Sequence, residues 1–205
     1  MYLVASPKWP IARLLSIVAE ALEGGASSVQ LRDKGAYAAE EKLEAGRGLR
    51  ELCDRYGVPF LVNDDPEVAR QLAADGVHLG RDDPSPRIAR ALLGPRAIVG
   101  VTVYGKAGEE EAAAAAGADY ISVGPFFPSP TKPEEPVLPF HLLDVVVRRS
   151  RLPVFAIGGI RAENAGQLAR HRVAGVAVLS AIMDAEDPRG ATEAIRQALE
   201  AAAIS

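Results

Sequence analysis

One phrase returns four times along the chain and constrains its fold more than any other feature. A helix-like segment ends in a small residue and a short apolar strand follows at once: Gly25-Ala26-Ser27-Ser28-Val29-Gln30-Leu31, Asp75-Gly76-Val77-His78-Leu79-Gly80, Gly117-Ala118-Asp119-Tyr120-Ile121-Ser122-Val123-Gly124 and Ala174-Gly175-Val176-Ala177-Val178-Leu179-Ser180. A spacing of about fifty residues between copies is the mark of a repeated architecture. Between the copies lie further apolar runs at residues 2–4, 60–62, 98–101 and 154–157, which brings the strands to eight. Segments of helical period separate them, as in Ile11, Leu14, Leu15, Val18, Ala19 and Leu22, or Ala191, Ile195, Ala198, Leu199 and Ala202. Their ends carry the usual signals: Pro10 at an expected first helical residue, Gly24-Gly25 at a stop, Asp65-Pro66 and Ser85-Pro86 at starts. Strands that are apolar almost throughout, each followed by a helix, predict a parallel sheet buried under helices, and eight such units close into a barrel. The expected fold class is therefore α/β, a single eight-stranded parallel (β/α)8 TIM barrel that occupies residues 1–205 as one domain. An open doubly wound sheet is the competitor, but the Gly-x-Gly-x-x-Gly that opens its first helix is missing after residues 2–4.

Composition narrows the partners. The 23 Lys and Arg against 27 Asp and Glu give a formal charge of -4, and no basic run is present to neutralise a phosphate backbone, which argues against nucleic acid. No apolar run approaches the roughly 18 residues of a membrane span. The opening Met1-Tyr2-Leu3-Val4 lacks a basic region before an apolar stretch, so no membrane and a cytoplasmic location are expected. Cys53, at helical spacing from Leu49, Leu52 and Tyr56, reads as a small core residue. His78, within a strand, reads as a core or layer-filling histidine, and His141 and His171 are placed on helices.

In barrels of this kind chemistry gathers where strands end at their carboxyl side. Polar residues are concentrated there: Gln30, Arg32, Asp33 and Lys34 after strand two, Asn63, Asp64 and Asp65 after strand three, and Arg81, Asp82 and Asp83 after strand four. Thr102 and Tyr104 follow strand five, Gly124 through Lys132 follow strand six, Gly158-Gly159 follow strand seven, and strand eight is expected to end at Ser180. Asp64 and Asp83, on adjacent strand ends, can hold a hard cation such as magnesium and leave positions for water and substrate oxygens. Each can equally cap the helix after it, and for Asp65, directly before Pro66, the cap is the better reading. Arg32 and Lys34 alternate along an extended segment and so point the same way, into the mouth, where Lys132 can join them. Three cations beside a metal suit a pyrophosphate, although any one of them alone reads as a surface ion pair. Gly158-Gly159 with a small polar residue after strand eight suits a phosphate cradle.

Taken together and in order, Gln30-Leu31-Arg32-Asp33-Lys34, Val62-Asn63-Asp64, Asp75-Gly76-Val77-His78-Leu79-Gly80 with Asp83, Gly124-Pro125 through Thr131-Lys132, and Ala156-Ile157-Gly158-Gly159-Ile160 resemble the thiamin phosphate synthase family over nearly the whole chain. The resemblance extends to the related thiazole tautomerases. It implies a transferase that joins 4-amino-2-methyl-5-hydroxymethylpyrimidine diphosphate to a thiazole phosphate by a dissociative substitution, releasing pyrophosphate. It further implies magnesium on Asp64 and Asp83, with Arg32, Lys34, Asn63 and Lys132 on the pyrophosphate and Gln30 orienting the pyrimidine. Ser129, Thr131, Gly159, Leu179 and Ser180 match positions that hold the thiazole phosphate, and Thr102 keeps a hydroxyl for a phosphate oxygen. The chain departs from the family pattern at Arg81, where glutamine is common, at Thr102-Val103-Tyr104 in place of a serine and a histidine, and at Ser129 in place of threonine. Three other readings stay open: a thiazole tautomerase, which wants the histidine missing after strand five, a non-catalytic thiazole phosphate sensor, and an unrelated isomerase or aldolase barrel. A homo-oligomer is compatible with the sequence.

Overall fold

The structure is a computed structural model that describes residues 1–203 apart from Pro130, Lys132 and Glu134. Eight strands, β1 (Tyr2–Ala5), β2 (Val29–Leu31), β3 (Phe60–Asn63), β4 (Gly76–Leu79), β5 (Ile98–Val103), β6 (Tyr120–Val123), β7 (Val154–Ile157) and β8 (Gly175–Val178), pair in chain order. All pairs are parallel, and β8 closes on β1 through Tyr2 opposite Ala177. The eight runs of the sequence are the eight staves of a closed barrel.

Each strand leads into a helix: α1 (Ile11–Glu23), α2 (Ala39–Tyr56), α3 (Pro66–Gln71), α4 (Pro86–Leu93), α5 (Glu109–Ala115), α6 (Phe140–Arg149) and α7 (Ala162–Ala169), with α8 (Ser180–Met183) and α9 (Pro188–Ala203) both following β8. In α1 the periodic residues Leu14, Ile17, Val18, Ala21 and Leu22 are buried, as a 3.6-residue stripe facing a sheet requires. Pro10 stands one position outside α1, at its cap, and Gly24 ends it. Asp65 caps α3, its carboxylate accepting the backbone N–H groups of Glu67 and Val68 at 3.0 Å each. Ser85 precedes α4 without contributing a side-chain cap. His171 lies in the turn after α7, where its Nδ1 is 2.7 Å from Asp144 on α6, and not on a helix. Cys53 is fully buried, and burial pushes its thiol up to about 12, so it packs as an inert core residue.

The pleat divides the strand residues into two cores. Leu3, Val29, Leu31, Phe60, Val62, Val77, Val99, Ile121, Ala156 and Val176 face outward and pack against the helices. Their alternates face the barrel axis, where Tyr2, Val4, Leu61, Tyr120 and Ala177 form a second apolar cluster with Phe155 and Ile157. The register places inward residues side by side: Gln30 beside Val4 and Leu61, Asn63 beside His78, His78 beside Gly100, and Thr102 beside Ser122. Toward the carboxyl ends the interior therefore turns from hydrocarbon to polar groups. Gln30, Asn63 and Thr102 lie within strands and not in the loops beyond them, while Ser180 opens α8 where the sequence reading ends a strand. Among the described residues no helix is long and apolar enough to cross a membrane.

Candidate active site

The carboxyl ends of the strands open into a cavity of about 360 Å³, within the range of small-molecule sites. Its wall on the β2–β4 side is charged. Leaving β2, the chain is turned back by Asp33, whose buried carboxylate accepts the N–H groups of Gly35 at 3.1 Å and Ala36 at 2.8 Å, with Lys42 at 3.5 Å from its other oxygen. That turn leaves Arg32 and Lys34 both on the cavity wall. Lys34 is ion-paired to Asp64, whereas Arg32 has no carboxylate partner among the described residues.

Asp64 directly follows β3 with a left-handed backbone (φ 68°), and its N–H donates to the His78 carbonyl at 2.8 Å. Aspartate tolerates this conformation better than most residues, and here it turns the carboxylate toward the β4–α4 loop. There Asp83 accepts the Gly80 N–H at 2.6 Å and meets Asp64 at hydrogen-bonding range. Burial pushes Asp64 up, but the hydrogen bonds from Lys34 and with Asp83 and the charges of Lys34 and Arg32 outweigh it, holding Asp64 below the ordinary range. Burial and the neighbouring Asp64 carboxylate raise Asp83 despite the Gly80 N–H. No group of three or more His, Cys, Asp or Glu gathers among the described residues. The acidic pair offers only hard oxygen donors, and a divalent ion between them would relieve the repulsion that raises Asp83; that donor set fits magnesium, which takes one or two carboxylates plus water and phosphate oxygens.

Across the cavity the ends of β7 and β8 carry no charged side chain, and Glu135 of the β6–α6 loop is the acidic residue nearest that side. Gly158 (φ 97°) and Gly159 (φ 64°) leave β7 in left-handed conformations, and a Cβ on Gly159 would stand 2.4 Å from the Pro128 carbonyl oxygen, so only glycine lets this backbone lie against the β6–α6 loop. Asn164 Nδ2 donates to the Gly159 carbonyl at 3.0 Å and steadies the turn. Leu179 and Ser180, at the opening of α8, and Ser129 and Thr131 complete this side.

Gln30, Arg32, Lys34, Asn63, Asp64, Asp83, Thr102, Ser129, Thr131, Gly159, Leu179 and Ser180 thus line one cavity. Lys132 lies outside the described residues. The floor adds Tyr2 and Tyr120, which the sequence did not single out, and His78, which fills the layer as the sequence reading expects. Tyr2 donates to Gln30 Oε1, Gln30 Nε2 donates to Asn63 Oδ1 at 2.5 Å, and His78 places Nδ1 2.8 Å from the Tyr120 hydroxyl and Nε2 2.8 Å from Thr102 Oγ1. Burial drops His78 to about 4 against a small opposing effect of Asp64, so its ring is neutral. The signal for Tyr2 was its inward parity in β1, the same parity that carries Gln30 and His78 on their strands. At the rim the Arg81 guanidinium carbon sits 4.0 Å from the Tyr104 ring centroid. Two departures from the family pattern are therefore one contact between neighbouring loops.

The thiamine monophosphate synthase family model matches residues 1–182. The chain belongs to the thiamine monophosphate synthase family. Among its relatives, the thiamine-phosphate synthase of Thiobacillus denitrificans is 49% identical over 179 residues, covering 87% of this chain and 84% of that protein. The thiamine-phosphate synthase of Azoarcus sp. strain BH72 is 44% identical over 188 residues, covering 92% and 91%. The solved thiamine phosphate pyrophosphorylase from Pyrococcus furiosus superposes with a TM-score of 0.85 at 37% identity, over 98% of this chain and 95% of that one. A 3-hexulose-6-phosphate synthase structure superposes with a TM-score of 0.70 at 16% identity and shares the fold. Family membership thus extends past the barrel shape to the sequence that builds this mouth.

Proposed function

We propose that the chain is a transferase that couples 4-amino-2-methyl-5-hydroxymethylpyrimidine diphosphate to a thiazole phosphate, giving thiamin phosphate and pyrophosphate. The observation that carries this reading is the division of one cavity into a charged wall and a neutral cradle: Arg32, Lys34, Asp64 and Asp83 on one side, Gly158-Gly159 and Ser180 on the other. Two anionic substrates can lie side by side in such a space, the more highly charged one against the cations.

Asp64 and Asp83 would hold Mg2+, which when bound supplies positive charge to the pyrophosphate oxygens. Arg32 and Lys34 face the same group and, with Lys132, stabilise the charge that gathers on it as the carbon–oxygen bond breaks. Lys34 must exchange its ion pair with Asp64 for a phosphate oxygen, which the exposed position of its side chain permits. Asn63 contributes amide hydrogens at the same wall, and Gln30 beside it orients the pyrimidine. The bonding electrons leave with pyrophosphate, and the resulting carbocation, stabilised by the aminopyrimidine, is captured by the thiazole nitrogen. Gly159, Ser180, Leu179, Ser129 and Thr131 hold the thiazole phosphate so that its nitrogen faces that carbon. No side chain has to act as nucleophile, in keeping with an inert Cys53 and a His78 whose ring nitrogens are both engaged. The same engagement counts against a tautomerase, which needs a histidine free to shuttle protons.

Incubation of the purified protein with both substrates, with and without magnesium, tests the reading through the appearance of thiamin phosphate and pyrophosphate. Metal-dependent product is expected. Binding of thiazole phosphate without coupling would replace it with the sensor, and isomerisation of a thiazole carboxylate phosphate with the tautomerase.

A further inference from the structure

At the rim a guanidinium is held in place with no partner for its charge. Arg81, in the β4–α4 loop, lies over the Tyr104 ring, and both side chains line the cavity. Among the described residues Arg81 has no carboxylate partner, so its five N–H donors remain for an incoming anion. An unpaired arginine on an open surface is ordinary. Two features set this one apart, its platform and its position. The Tyr104 N–H donates to Glu109 Oε2 at 2.6 Å, and the Lys106 N–H donates to the same oxygen at 3.0 Å. Between them Gly105 takes φ 76°, and a Cβ there would meet the Leu142 side chain at 2.2 Å, so this backbone lies directly against α6. The ring under Arg81 is thus carried by a turn tied to α5 and seated on α6. As for position, the strands run β2, β3, β4, β5 around the barrel. Arg32 and Lys34 come to the acidic pair from the β2 side, whereas Arg81, two residues before Asp83, comes to it from the β4–β5 side. An anion seated at Asp64 and Asp83 is flanked by cations on both sides.

We propose that Arg81 is a substrate-contacting residue that grips the leaving pyrophosphate from the β4–β5 side, and that Tyr104 is the positioning residue that holds its guanidinium there. As the carbon–oxygen bond breaks, its electron pair goes to the pyrophosphate, and a guanidinium fixed beforehand meets that charge without reorganising. The glutamine common at this position in the family pattern offers an amide and no charge, and the ring that steadies Arg81 replaces the other departure, so the two changes serve one contact. The inference rests on the synthase reading for the identity of the anion and on the placement of Arg81 for the rest.

Calorimetry of the full chain with inorganic pyrophosphate, in magnesium and without it, tests the contact apart from turnover. Arg81→Gln is expected to weaken pyrophosphate at least about tenfold in both conditions, to lower kcat/KM for the pyrimidine diphosphate by a similar factor, and to leave thiazole phosphate affinity within about twofold. Arg81→Lys keeps the charge but loses the planar fork, and should fall between the two. Tyr104→Leu removes the platform and should weaken pyrophosphate at least about threefold, while Tyr104→Phe keeps the ring and restores the affinity. Added to Arg81→Gln, Tyr104→Leu should cost nothing more, because the ring acts only through Arg81. A folded Arg81→Gln, judged by an unchanged Tm, that binds pyrophosphate as the wild type does overturns the proposal. A loss seen only with magnesium also overturns it, by making Arg81 a support of Asp83, as does a loss that falls on thiazole phosphate instead. A further loss from Tyr104→Leu on top of Arg81→Gln removes the positioning role from the ring. If the wild type forms no thiamin phosphate but binds pyrophosphate through Arg81, the synthase reading fails and the contact stands; if it turns over and Arg81→Gln binds normally, the contact alone fails.

Discussion

At the scale of single residues the mouth is a set of charges poised against one another. Lys34 is paired with Asp64, the carboxylate proposed to hold the metal, so in the proposed reaction the same lysine would neutralise Asp64 before substrate arrives and the leaving group afterwards. Removing a preplaced stabilising group typically costs about 2.7–4 kcal/mol in the transition state, so Lys34→Ala and Lys132→Ala should each slow turnover at least about a hundredfold in steady-state assays. Losses below about tenfold for both would remove them from the machinery. Gly159→Ala forces a left-handed alanine into the Pro128 carbonyl oxygen, and calorimetry of thiazole phosphate binding should show affinity lost by more than about tenfold. Asp64→Asn and Asp83→Asn should each raise the magnesium concentration that supports half-maximal turnover, measured by metal titration; an unchanged requirement at both positions would place the ion elsewhere.

At the scale of elements, adjacent residues are divided between structure and chemistry. Asp65 caps α3 while Asp64, one position earlier, turns into the cavity on a left-handed backbone. Asp65→Ala should therefore lower stability by about 1 kcal/mol in urea unfolding and leave turnover within a factor of about two. A loss of activity far beyond the loss of stability would mean that the cap and the metal position had been exchanged. Arg81 and Tyr104 tell a related story for loops: the β4–α4 and β5–α5 connections carry a guanidinium and a ring that stack on each other, and neither departure makes sense alone.

At the scale of the whole molecule the barrel interior couples stability to pH. His78 is held neutral by burial, at about 4 against an ordinary value near 6.5. The unfolded chain thus binds a proton that the folded chain refuses: the stability is fully present above about 6.5 and is lost as pH falls from there toward 4. At pH 5 the loss from this one group is on the order of 2 kcal/mol. Urea unfolding at pH 7 and pH 5 should show it in the wild type, with a smaller drop in His78→Gln.

Much of this was legible in the sequence, and the parts that were not share a reason. Eight apolar runs, small residues at helix ends and polar residues after most of the runs determined the barrel and the side of it expected to carry chemistry, because strand period, helix termination and burial act over a few neighbouring residues. Arg32, Lys34, Asp64 and Asp83 could be named from their order along the chain. What the tertiary structure alone decided was which inward-facing groups touch. Tyr2 meets Gln30, His78 meets Tyr120 and Thr102, and Arg81 meets Tyr104 only because barrel closure and register bring strands far apart in sequence side by side. Register and closure act over the whole sheet at once, so this polar floor exists only in the closed barrel.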